Sequence, residues 1–450
     1  MEQKPEPGAA GGFEGAIAEP PRAAGHITSR LNRNQIRSFW AAWSGWTMDG
    51  MDSFIYSLVL VLALRELLPR SGIAPSAANV GYYGGFLFAL FMIGYGISII
   101  WGPIADRLGR VRTMMLSILA FSLFTLLAGF SIGVWSLAIC RFLAGIGIGG
   151  EWSIGAALVS EDWPEERRTM GAALMHTGYY FGFFLASAAN YFLSGFGWRY
   201  MFVLGGAPAL LIAFIRNNVN EPSRWKDKQK ELGERWRIRD SFLELFSAPY
   251  RRRTILNSAY LIVSLIGLWA GSIYTPSAMT FIAEREGQSA VRAAQLASYS
   301  SALLAIGTIL TALVVPFLAG RLGRRTALGI LYIVMGGSIW AAFGHVFYMR
   351  THAIPWFMVC AFLLGVGGAN FIVYSFWLPE QYGTECRASA FAFTTNFGRF
   401  AAAAFTFLVG AGVRHFRTFG TPVALTGLVF VIGIMLLPFG VETKGKPLPA

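Results

Sequence analysis

Five charged side chains lie inside long apolar segments of this 450-residue sequence: Asp49, Asp52, Arg141, Glu151 and Arg399. A charged group at the centre of a bilayer costs about 2.5–3.5 kcal/mol on insertion scales, so such residues usually have a partner or a function. A carboxylate that faces an arginine stays ionised, whereas a carboxylate that loses its arginine in an apolar cavity takes up a proton. These residue types therefore predict proton binding that changes with conformation.

Depth within the apolar segments predicts which charges meet. At the rise of an α-helix, Asp52 lies about 20 Å and Arg141 about 18 Å from the same side of the bilayer. We therefore expect Asp52 and Arg141 to form a proton-coupling pair, although a static ion pair between two helices is the alternative. Asp49, one helical turn before Asp52, either passes the proton onward or anchors a hydrogen bond. Glu151 lies near the cytoplasmic surface, where we expect a gating or packing role.

Arg399 has no acid inside the apolar segments of its own half of the chain and lies about 16 Å deep, near the midplane. Its planar guanidinium is suited to a substrate carboxylate, with Asn396 on the same helix face adding a hydrogen bond. The alternative is that backbone carbonyls, water or an acid of the other half satisfy Arg399. Tyr179, Asn370 and His176 are further candidates for the substrate site, although helix packing is the simpler explanation for them.

The composition predicts the elements that hold these residues. The chain is 55% apolar and 14% charged, whereas a soluble chain carries about 25% charged residues. Twelve apolar segments indicate an all-α membrane protein with twelve transmembrane helices in two six-helix halves. The segments are 39–63, 80–101, 111–131, 133–159, 169–194, 198–215, 254–281, 296–319, 327–348, 354–378, 388–412 and 419–440. The corresponding regions are a disordered cytoplasmic tail (1–37), a first half (38–215), a cytoplasmic linker (216–253), a second half (254–441) and a cytoplasmic tail (442–450).

The net charge of +13 follows the membrane topology. Most of the 37 Lys and Arg residues lie in the tails and in loops on one side, which predicts an inner-membrane protein with both termini in the cytoplasm. The excess charge is explained in this way, without a nucleic-acid partner. The three cysteines, Cys140, Cys360 and Cys386, lack metal-ligand spacing, so we expect no metal and no cofactor beyond the coupling proton.

The two halves are copies of each other. Four pairs of segments align in the same order: GPIADRLGR at 102–110 with PFLAGRLGR at 316–324, CRFLAGIG at 140–147 with CAFLLGVG at 360–367, EDWPEERR at 161–168 with EQYGTECR at 380–387, and NEPSRW at 220–225 with VETKGK at 441–446. Duplicated six-span units of this kind rock about a site at the midplane.

These motifs resemble the major facilitator superfamily. GPIADRLGR is similar to its loop between spans two and three, and Arg141 followed by Gly145, Gly147 and Gly149 is similar to its fourth-span motif. Together with MDGMDSFIYS, GGEW at 149–152, NEPSRW and VETKGK, they most resemble proton-coupled metabolite symporters of the sialate and lactate type. In the proton-coupled sugar porters of this superfamily, the resemblance aligns a first-span aspartate with Asp52 and a fourth-span arginine with Arg141. Span seven lacks the His and Asp of fungal lactate permeases, so lactate specificity is not implied.

The first repeated motif predicts a conformational latch. Asp106 could cap a neighbouring helix N-terminus while Arg107 and Arg110 hold span ends, and Glu151 could reach these arginines. The second copy has Gly320 in place of the acid, so we expect a weaker latch there.

The sequence therefore predicts a secondary active transporter that carries a small organic anion, of the monocarboxylate or sugar-acid type, together with a proton. It would act as a monomer in the lipid bilayer by alternating access. A symporter or facilitator for a neutral sugar or polyol, with a structural Arg399, is the alternative. An enzyme is not expected, because the apolar segments contain no nucleophile with a base, no facing aspartates and no metal site. The longest polar stretch is also too short for the soluble output domain of a sensor.

Overall fold

The computed structural model describes residues 31–149, 151, 154, 163, 168–221, 243–382 and 387–445, and within these residues the regular elements are all helical. The helices are α1 Arg33–Arg70, α2 Ala77–Ile97, α3 Trp101–Leu108, α4 Arg110–Ala128, α5 Val134–Ile148, α6 Arg168–Leu193, α7 Trp198–Leu204, α8 Ala209–Asn218, α9 Arg251–Arg285, α10 Ala290–Leu322, α11 Arg324–Ile339, α12 Ala353–Gly368, α13 Asn370–Trp377, α14 Arg387–Phe416, α15 Gly420–Thr426 and α16 Leu428–Leu436. The all-helical prediction is confirmed.

Eight helical stretches of the described chain are long and apolar enough to cross a membrane, and they match predicted spans two, three and seven to twelve. They are Ala77–Ile100, Arg110–Ala128, Arg251–Arg285, Ala290–Leu322, Arg324–Tyr348, Ala353–Trp377, Ser389–Phe416 and Gly420–Phe439. Shorter apolar helices, Val134–Ile148 and Trp198–Ala213, lie at spans four and six. The helices α1 and α6 occupy spans one and five. The chain is thus a multi-pass helical protein.

The ends of several helices differ from the apolar segments. The first helix begins at Arg33, inside the predicted tail, because Asn32 and Gln35 form a capping box with two reciprocal bonds of 2.8 Å. The polar middle of the chain separates Asn218, where α8 ends, from Arg251, where α9 begins. Most of the predicted linker, residues 222–242, and most of the predicted tails lie outside the described residues.

The segment GPIADRLGR was predicted as a loop, and that prediction is wrong. Residues 101–108 form α3, and the chain breaks only at Gly109, which has a φ of 103°. The second copy behaves in the same way, because α10 continues to Leu322 and breaks at Gly323, with a φ of 93°. Such left-handed backbone favours glycine, so a single residue is enough to end one helix and begin the next.

Glycines bring the helices that carry the charges into backbone contact. A Cβ atom at Gly50 of α1 would lie 2.1 Å from the carbonyl oxygen of Tyr179 in α6. A Cβ at Gly145 of α5 would lie 2.3 Å from the carbonyl oxygen of Phe91 in α2. The repeat preserves this second contact, since a Cβ at Gly365 of α12 would lie 1.9 Å from the carbonyl of Leu304 in α10. These small residues hold the polar side chains of neighbouring helices at short range.

The two halves meet along helix pairs in which α2 packs against α14 and α6 packs against α10. At the end of the molecule that carries the C-terminus of α1, the guanidinium of Arg65 forms a fork with the carboxylate of Glu284 in α9, with N···O distances of 2.8 and 3.0 Å. The helices α2 and α14, which pack against each other, therefore lie at the boundary between the halves.

Candidate functional site

The first part of the site is a completely buried ion pair. Arg141 Nη1 of α5 lies 3.5 Å from Asp52 Oδ2 of α1, and both side chains have zero exposure. The hydroxyl of Thr125 in α4 donates a hydrogen bond to the other carboxylate oxygen of Asp52. The guanidinium lies over the ring of Phe91, 4.3 Å from its centroid, and also faces Tyr56 at 5.6 Å. The pair that the depth argument predicted is thus formed, within an aromatic enclosure that excludes water.

The second part of the site is Asp49, one turn of α1 away. Its carboxylate accepts a hydrogen bond of 3.2 Å from Ser53 and one of 3.4 Å from the hydroxyl of Tyr95 in α2. Asp49 is completely buried and interacts electrostatically with Glu151 and with Arg399 of the second half. The acid therefore belongs to a network that crosses the boundary between the halves.

The third part of the site is Arg399 on α14, which is 6% exposed. Its guanidinium donates a bond of 2.8 Å to Asn396 and lies 3.8 Å from the ring centroid of Tyr95. Asn396 in turn donates 2.8 Å to the carbonyl of Ala392, so its amide orients the arginine. An acid of the other half was one of the alternatives left open by the sequence, and Asp49 is such an acid that interacts electrostatically with Arg399 in this conformation.

A pocket of about 340 Å³ lies beside Asn396. Its other walls are apolar and include Ile97, Ile100, Phe393 and Phe397. The pocket is therefore an almost wholly apolar groove on the outside of α2 and α14, beside the amide whose carbonyl oxygen holds the arginine.

Two of the other predicted substrate residues surround the acidic side of the site. The ring of Tyr179 lies 4.7 Å from that of Trp46, and its electrostatic contacts include Asp49. His176 packs against Trp46 and Tyr180 at centroid distances of 6.4 and 6.0 Å. These contacts form an aromatic wall between α1 and α6.

Asn370, the remaining predicted substrate residue, forms hydrogen bonds with residues of the second half. Its amide nitrogen donates 2.9 Å to the carbonyl of Gly367 and contacts Met335 Sδ at 3.3 Å. Its amide oxygen is buried without a hydrogen-bond partner among the described residues. The amide oxygen thus remains open to a donor.

Sequence reasoning missed Tyr95 and Thr125. Tyr95 was hidden because a tyrosine in an apolar segment usually indicates packing or an interface belt. Thr125 was hidden because a hydroxyl in a helix usually bonds to its own backbone. Depth in the membrane could have identified both residues. A polar side chain of α2 or α4 at the same depth as Asp49 and Asp52 would have been a candidate partner for these acids.

Glu151, for which we expected a gating or packing role, is completely buried. A Cβ at Gly45 of α1 would lie 2.2 Å from its carboxylate, so Glu151 packs against α1. Arg110 donates a hydrogen bond of 3.0 Å to the carbonyl of Ala105. The side chains of Asp106 and Arg107 lie outside the described residues.

The acid that caps the helix after the first repeated motif is Glu221. Its carboxylate accepts the backbone N–H groups of Arg110, Val111 and Arg112 at 2.7, 3.0 and 3.2 Å. A carboxylate at a helix N-terminus satisfies groups that have no partner within the helix and interacts favourably with the helix dipole. The glutamate of NEPSRW thus caps this helix, a role of the kind that was predicted for Asp106.

The second copy repeats this arrangement with Glu442, which accepts the N–H groups of Arg324 and Arg325 at 3.0 and 3.2 Å. Burial raises the pKa of Glu442, but its backbone hydrogen bonds outweigh burial and the net pKa is lowered. Arg324 also forms a fork with Glu380, at 2.7 and 3.0 Å. In the second copy, Glu442 and Glu380 thus bind the start of α11, although Gly320 replaces the acid within the motif.

Comparison with known proteins identifies the family. Residues 42–406 match the family model described as Major Facilitator Superfamily. The chain belongs to this superfamily. A protein described as a probable 4-methylmuconolactone transporter, from Cupriavidus pinatubonensis, is 30% identical, and the match covers 91% of each chain. A 4-hydroxybenzoate transporter of Acinetobacter baylyi is 28% identical, over 79% of this chain and 80% of its own.

A solved structure shows the same major facilitator fold. The xylose transporter of E. coli, in a partially occluded inward-open conformation, has a TM-score of 0.69 and 18% identity, and the match covers 93% of this chain and all of that one. The chain is therefore a multi-pass membrane transporter of a small molecule and not an enzyme, and the resemblance predicted from its motifs is confirmed.

Proposed function

We propose that this major facilitator transporter carries a small organic anion together with a proton. The observation that supports this most directly is that Asp49, a buried acid of the first half, interacts electrostatically with Arg399, a buried arginine of the second half, while Asp52, one turn away, pairs with Arg141. The proposal includes twelve spans, with residues 38–215 and 254–441 as the halves, 216–253 as a cytoplasmic linker and both termini in the cytoplasm of the inner membrane. The proposal also includes a functional monomer, because the acids and the arginines of the proposed site all belong to one chain.

The proton side rests on the enclosed pair of Asp52 and Arg141. Leaving one member of a buried ion pair uncompensated costs about 3–5 kcal/mol. Asp52 and Arg141 belong to the same half, so a movement of α1 against α5 within that half would separate them, and protonation of the carboxylate would then remove this penalty. Asp49, one turn away, is placed to exchange the proton with Asp52. Proton uptake is thus linked to the position of α1 within the first half.

The anion side rests on Arg399. A guanidinium binds a carboxylate through two parallel hydrogen bonds, and Asn396 already holds it in one orientation. The apolar pocket beside Asn396 is suited to the hydrocarbon part of an aromatic or otherwise flat acid. The name of the Acinetobacter relative refers to a substrate of this kind, 4-hydroxybenzoate.

Counterflow in proteoliposomes tests the proposal. Labelled 4-hydroxybenzoate, sialic acid, lactate and D-xylose are compared with and without an imposed pH gradient. We expect uptake of a carboxylate that the gradient drives and that Arg399→Ala abolishes. Arg414→Ala is the matched control, since it removes an exposed arginine from the same helix.

Two results would contradict the proposal. Carboxylate uptake that is unchanged by Arg399→Ala would exclude the anion site. Uptake of D-xylose alone would favour the neutral-sugar alternative, in which Arg399 is structural.

A further inference from the structure

Glu151, just beyond the end of α5, is a buried acid outside the proposed proton and anion sites. Its side chain has zero exposure, and neither carboxyl oxygen has a hydrogen-bond partner among the described residues. The hydroxyl of Ser117 in α4 faces this carboxyl but donates its hydrogen bond to the carbonyl of Gly147, at 2.9 Å. An ionised carboxylate is strongly destabilised in such surroundings, so the carboxyl of Glu151 is stable here only with a proton.

The first helix leaves room for this carboxyl because residue 45 is a glycine. A Cβ at Gly45 would lie 2.2 Å from Glu151 Oε2, so any larger residue would displace the acid. Gly45 lies four residues before Asp49 and seven before Asp52, and these positions share one face of α1. The carboxyls of Asp52, Asp49 and Glu151 are thus placed along this face at intervals of about one helical turn, and we call them the carboxyl row.

The carboxyl row leads away from the buried ion pair. Asp49 interacts electrostatically with both Glu151 and Asp52, as expected for neighbours in a row. At 1.5 Å per residue, the distance along α1 from Asp52 to Gly45 is about 10 Å, toward the N-terminal end of the helix. The proposed topology places this end on the cytoplasmic side. The row therefore runs from the pair of Asp52 and Arg141 toward the cytoplasm.

Small and polar residues continue the same face of α1 beyond Gly45. Ala41, four residues earlier, and Ser38, a further three residues earlier, are both completely buried. The hydroxyl of Ser38 has no hydrogen-bond partner among the described residues. A buried polar atom of this kind is a usual binding position for an internal water molecule. The face thus provides a polar group between Glu151 and the start of α1.

The two ends of the carboxyl row differ in charge. Asp52 pairs with Arg141, which stabilises the ionised carboxylate. The described polar neighbours of Glu151 are the carboxyl of Asp49 and the hydroxyl of Ser117, and neither is basic. Whenever the pair of Asp52 and Arg141 is formed, a proton is therefore more stable on Glu151 than on Asp52.

Resting on the function proposed above, we propose that Glu151 receives the coupling proton from the acids of α1 and releases it toward the cytoplasm. When the pair of Asp52 and Arg141 forms again, the proton of Asp52 passes to the carboxylate of Asp49 and then to that of Glu151. Asp49, which also interacts with Arg399, is the intermediate carrier. Each transfer breaks one O–H bond, forms another and leaves a carboxylate on the donor. Glu151 finally gives the proton to water that enters from the N-terminal end of α1.

Three substitutions separate proton transfer from packing. Glu151→Gln keeps the shape of the protonated side chain but cannot pass on a proton. Glu151→Asp keeps an ionisable group and shortens its reach by one methylene. Gly45→Ala retains every ionisable group but displaces the carboxyl. Glu66→Gln is the matched control, because Glu66 is an acid of α1 that bonds to Trp198 and Arg199 near the other end of the helix.

The experiment compares two activities of the purified full chain in the same proteoliposomes. Counterflow of labelled 4-hydroxybenzoate requires no net proton transfer. Acidification of a pyranine-loaded lumen after external addition of 4-hydroxybenzoate does require it, once the rate in protein-free vesicles is subtracted. With Glu151→Gln, counterflow should stay within about twofold of the wild type. Acidification should fall at least about tenfold, because a positioned proton-transfer group contributes about 10²–10⁴-fold to a rate. Gly45→Ala should show a weaker form of the same separation, and Glu66→Gln should match the wild type.

Glu151→Asp supplies a measurement that a change in packing does not affect. Because its carboxyl lies farther from Asp49, proton transfer should become slow enough to limit turnover. Acidification by this variant should lie between those of the wild type and Glu151→Gln, and the ratio of its rates in H₂O and D₂O should exceed the wild-type ratio. Loosened packing alone would lower counterflow and acidification together and leave this ratio unchanged.

The outcomes separate this inference from the proposed function. If the wild-type protein transports no carboxylate, or transports it without acidification, the proposed function fails and the inference fails with it. If the wild type acidifies the lumen and Glu151→Gln does so at the same rate, the inference alone is overturned. Equal loss of counterflow and acidification in Glu151→Gln would also overturn it, because the role of Glu151 would then be structural. If Glu151→Gln elutes as aggregate in size-exclusion chromatography, Gly45→Ala decides: selective loss of acidification supports the inference, and wild-type acidification overturns it.

Discussion

Breaking the ion pair between Arg65 and Glu284 should open one end of the transporter. The pair joins α1 of the first half to α9 of the second, and its two N···O distances are 2.8 and 3.0 Å. The side chains are 39% and 27% exposed, so solvent screens the pair and its value lies within the range of about 0.2–1 kcal/mol for surface pairs. The fork geometry places it near the upper limit. Because 1.4 kcal/mol is a factor of ten, Arg65→Gln should raise the population open at this end about fivefold.

Spin labels can measure this population. Labels at Ala74→Cys and Thr351→Cys, exposed sites in the two halves, report the opening by double electron–electron resonance after the three native cysteines are replaced by serine. Arg70→Gln is the matched control, because the ion pair of Arg70 is with Glu66 on the same helix, at 2.8 Å, and so lies within the first half. It should leave the distance distribution unchanged.

The charge-reversed double variant, Arg65→Glu with Glu284→Arg, should restore the closed population. The reasoning is refuted if Arg65→Gln gives the same distances as the wild type. It is also refuted if the double variant remains as open as the single variant, because the pair would then contribute nothing to closure.

Two further predictions concern stability. Gly365→Ala should destabilise the protein by about 1–3 kcal/mol, because the new Cβ would lie 1.9 Å from the carbonyl of Leu304. Gly368→Ala is the control and should be neutral, because its Cβ would lie 3.5 Å from the nearest neighbour. Equal melting temperatures of the two variants in detergent would contradict this prediction. Glu442→Gln should cost about 0.5–2 kcal/mol at neutral pH as a lost helix cap. The pKa of Glu442 in the folded protein lies below its ordinary value of 4.5, so this contribution is complete above pH 4.5 and disappears as the pH falls through the lowered pKa. The free energies of unfolding of the variant and the wild type, measured by chemical denaturation, should therefore converge in acid. A difference that stays constant with pH would argue against the cap.

The sequence was sufficient for features that depend on local pattern and depth. Apolar segment length predicted the helices, and helical rise predicted that Asp52 and Arg141 meet. The internal repeat aligned NEPSRW with VETKGK, and the glutamates of these two segments, Glu221 and Glu442, cap equivalent helices in the two halves. These features follow from short-range geometry that a single sequence carries.

Features that depend on packing between distant segments could not be predicted from the sequence. Glu221 caps a helix more than a hundred positions earlier in the chain, and no local pattern predicts that contact. The packing of Glu151 against α1 was not predicted, because depth along a helix does not reveal which neighbouring helix a residue faces. Tyr95 lies between two halves whose relative position no local pattern encodes.

The most direct test of the account is pH-driven accumulation of 4-hydroxybenzoate by Asp52→Asn in proteoliposomes, with counterflow in the same preparation as the control for folding. Since the account assigns the driving proton to the α1 acids, the variant should retain counterflow but lose accumulation above equilibrium. Accumulation at the wild-type level by Asp52→Asn would contradict the account, because the proton would then enter by a route that does not use the pair of Asp52 and Arg141.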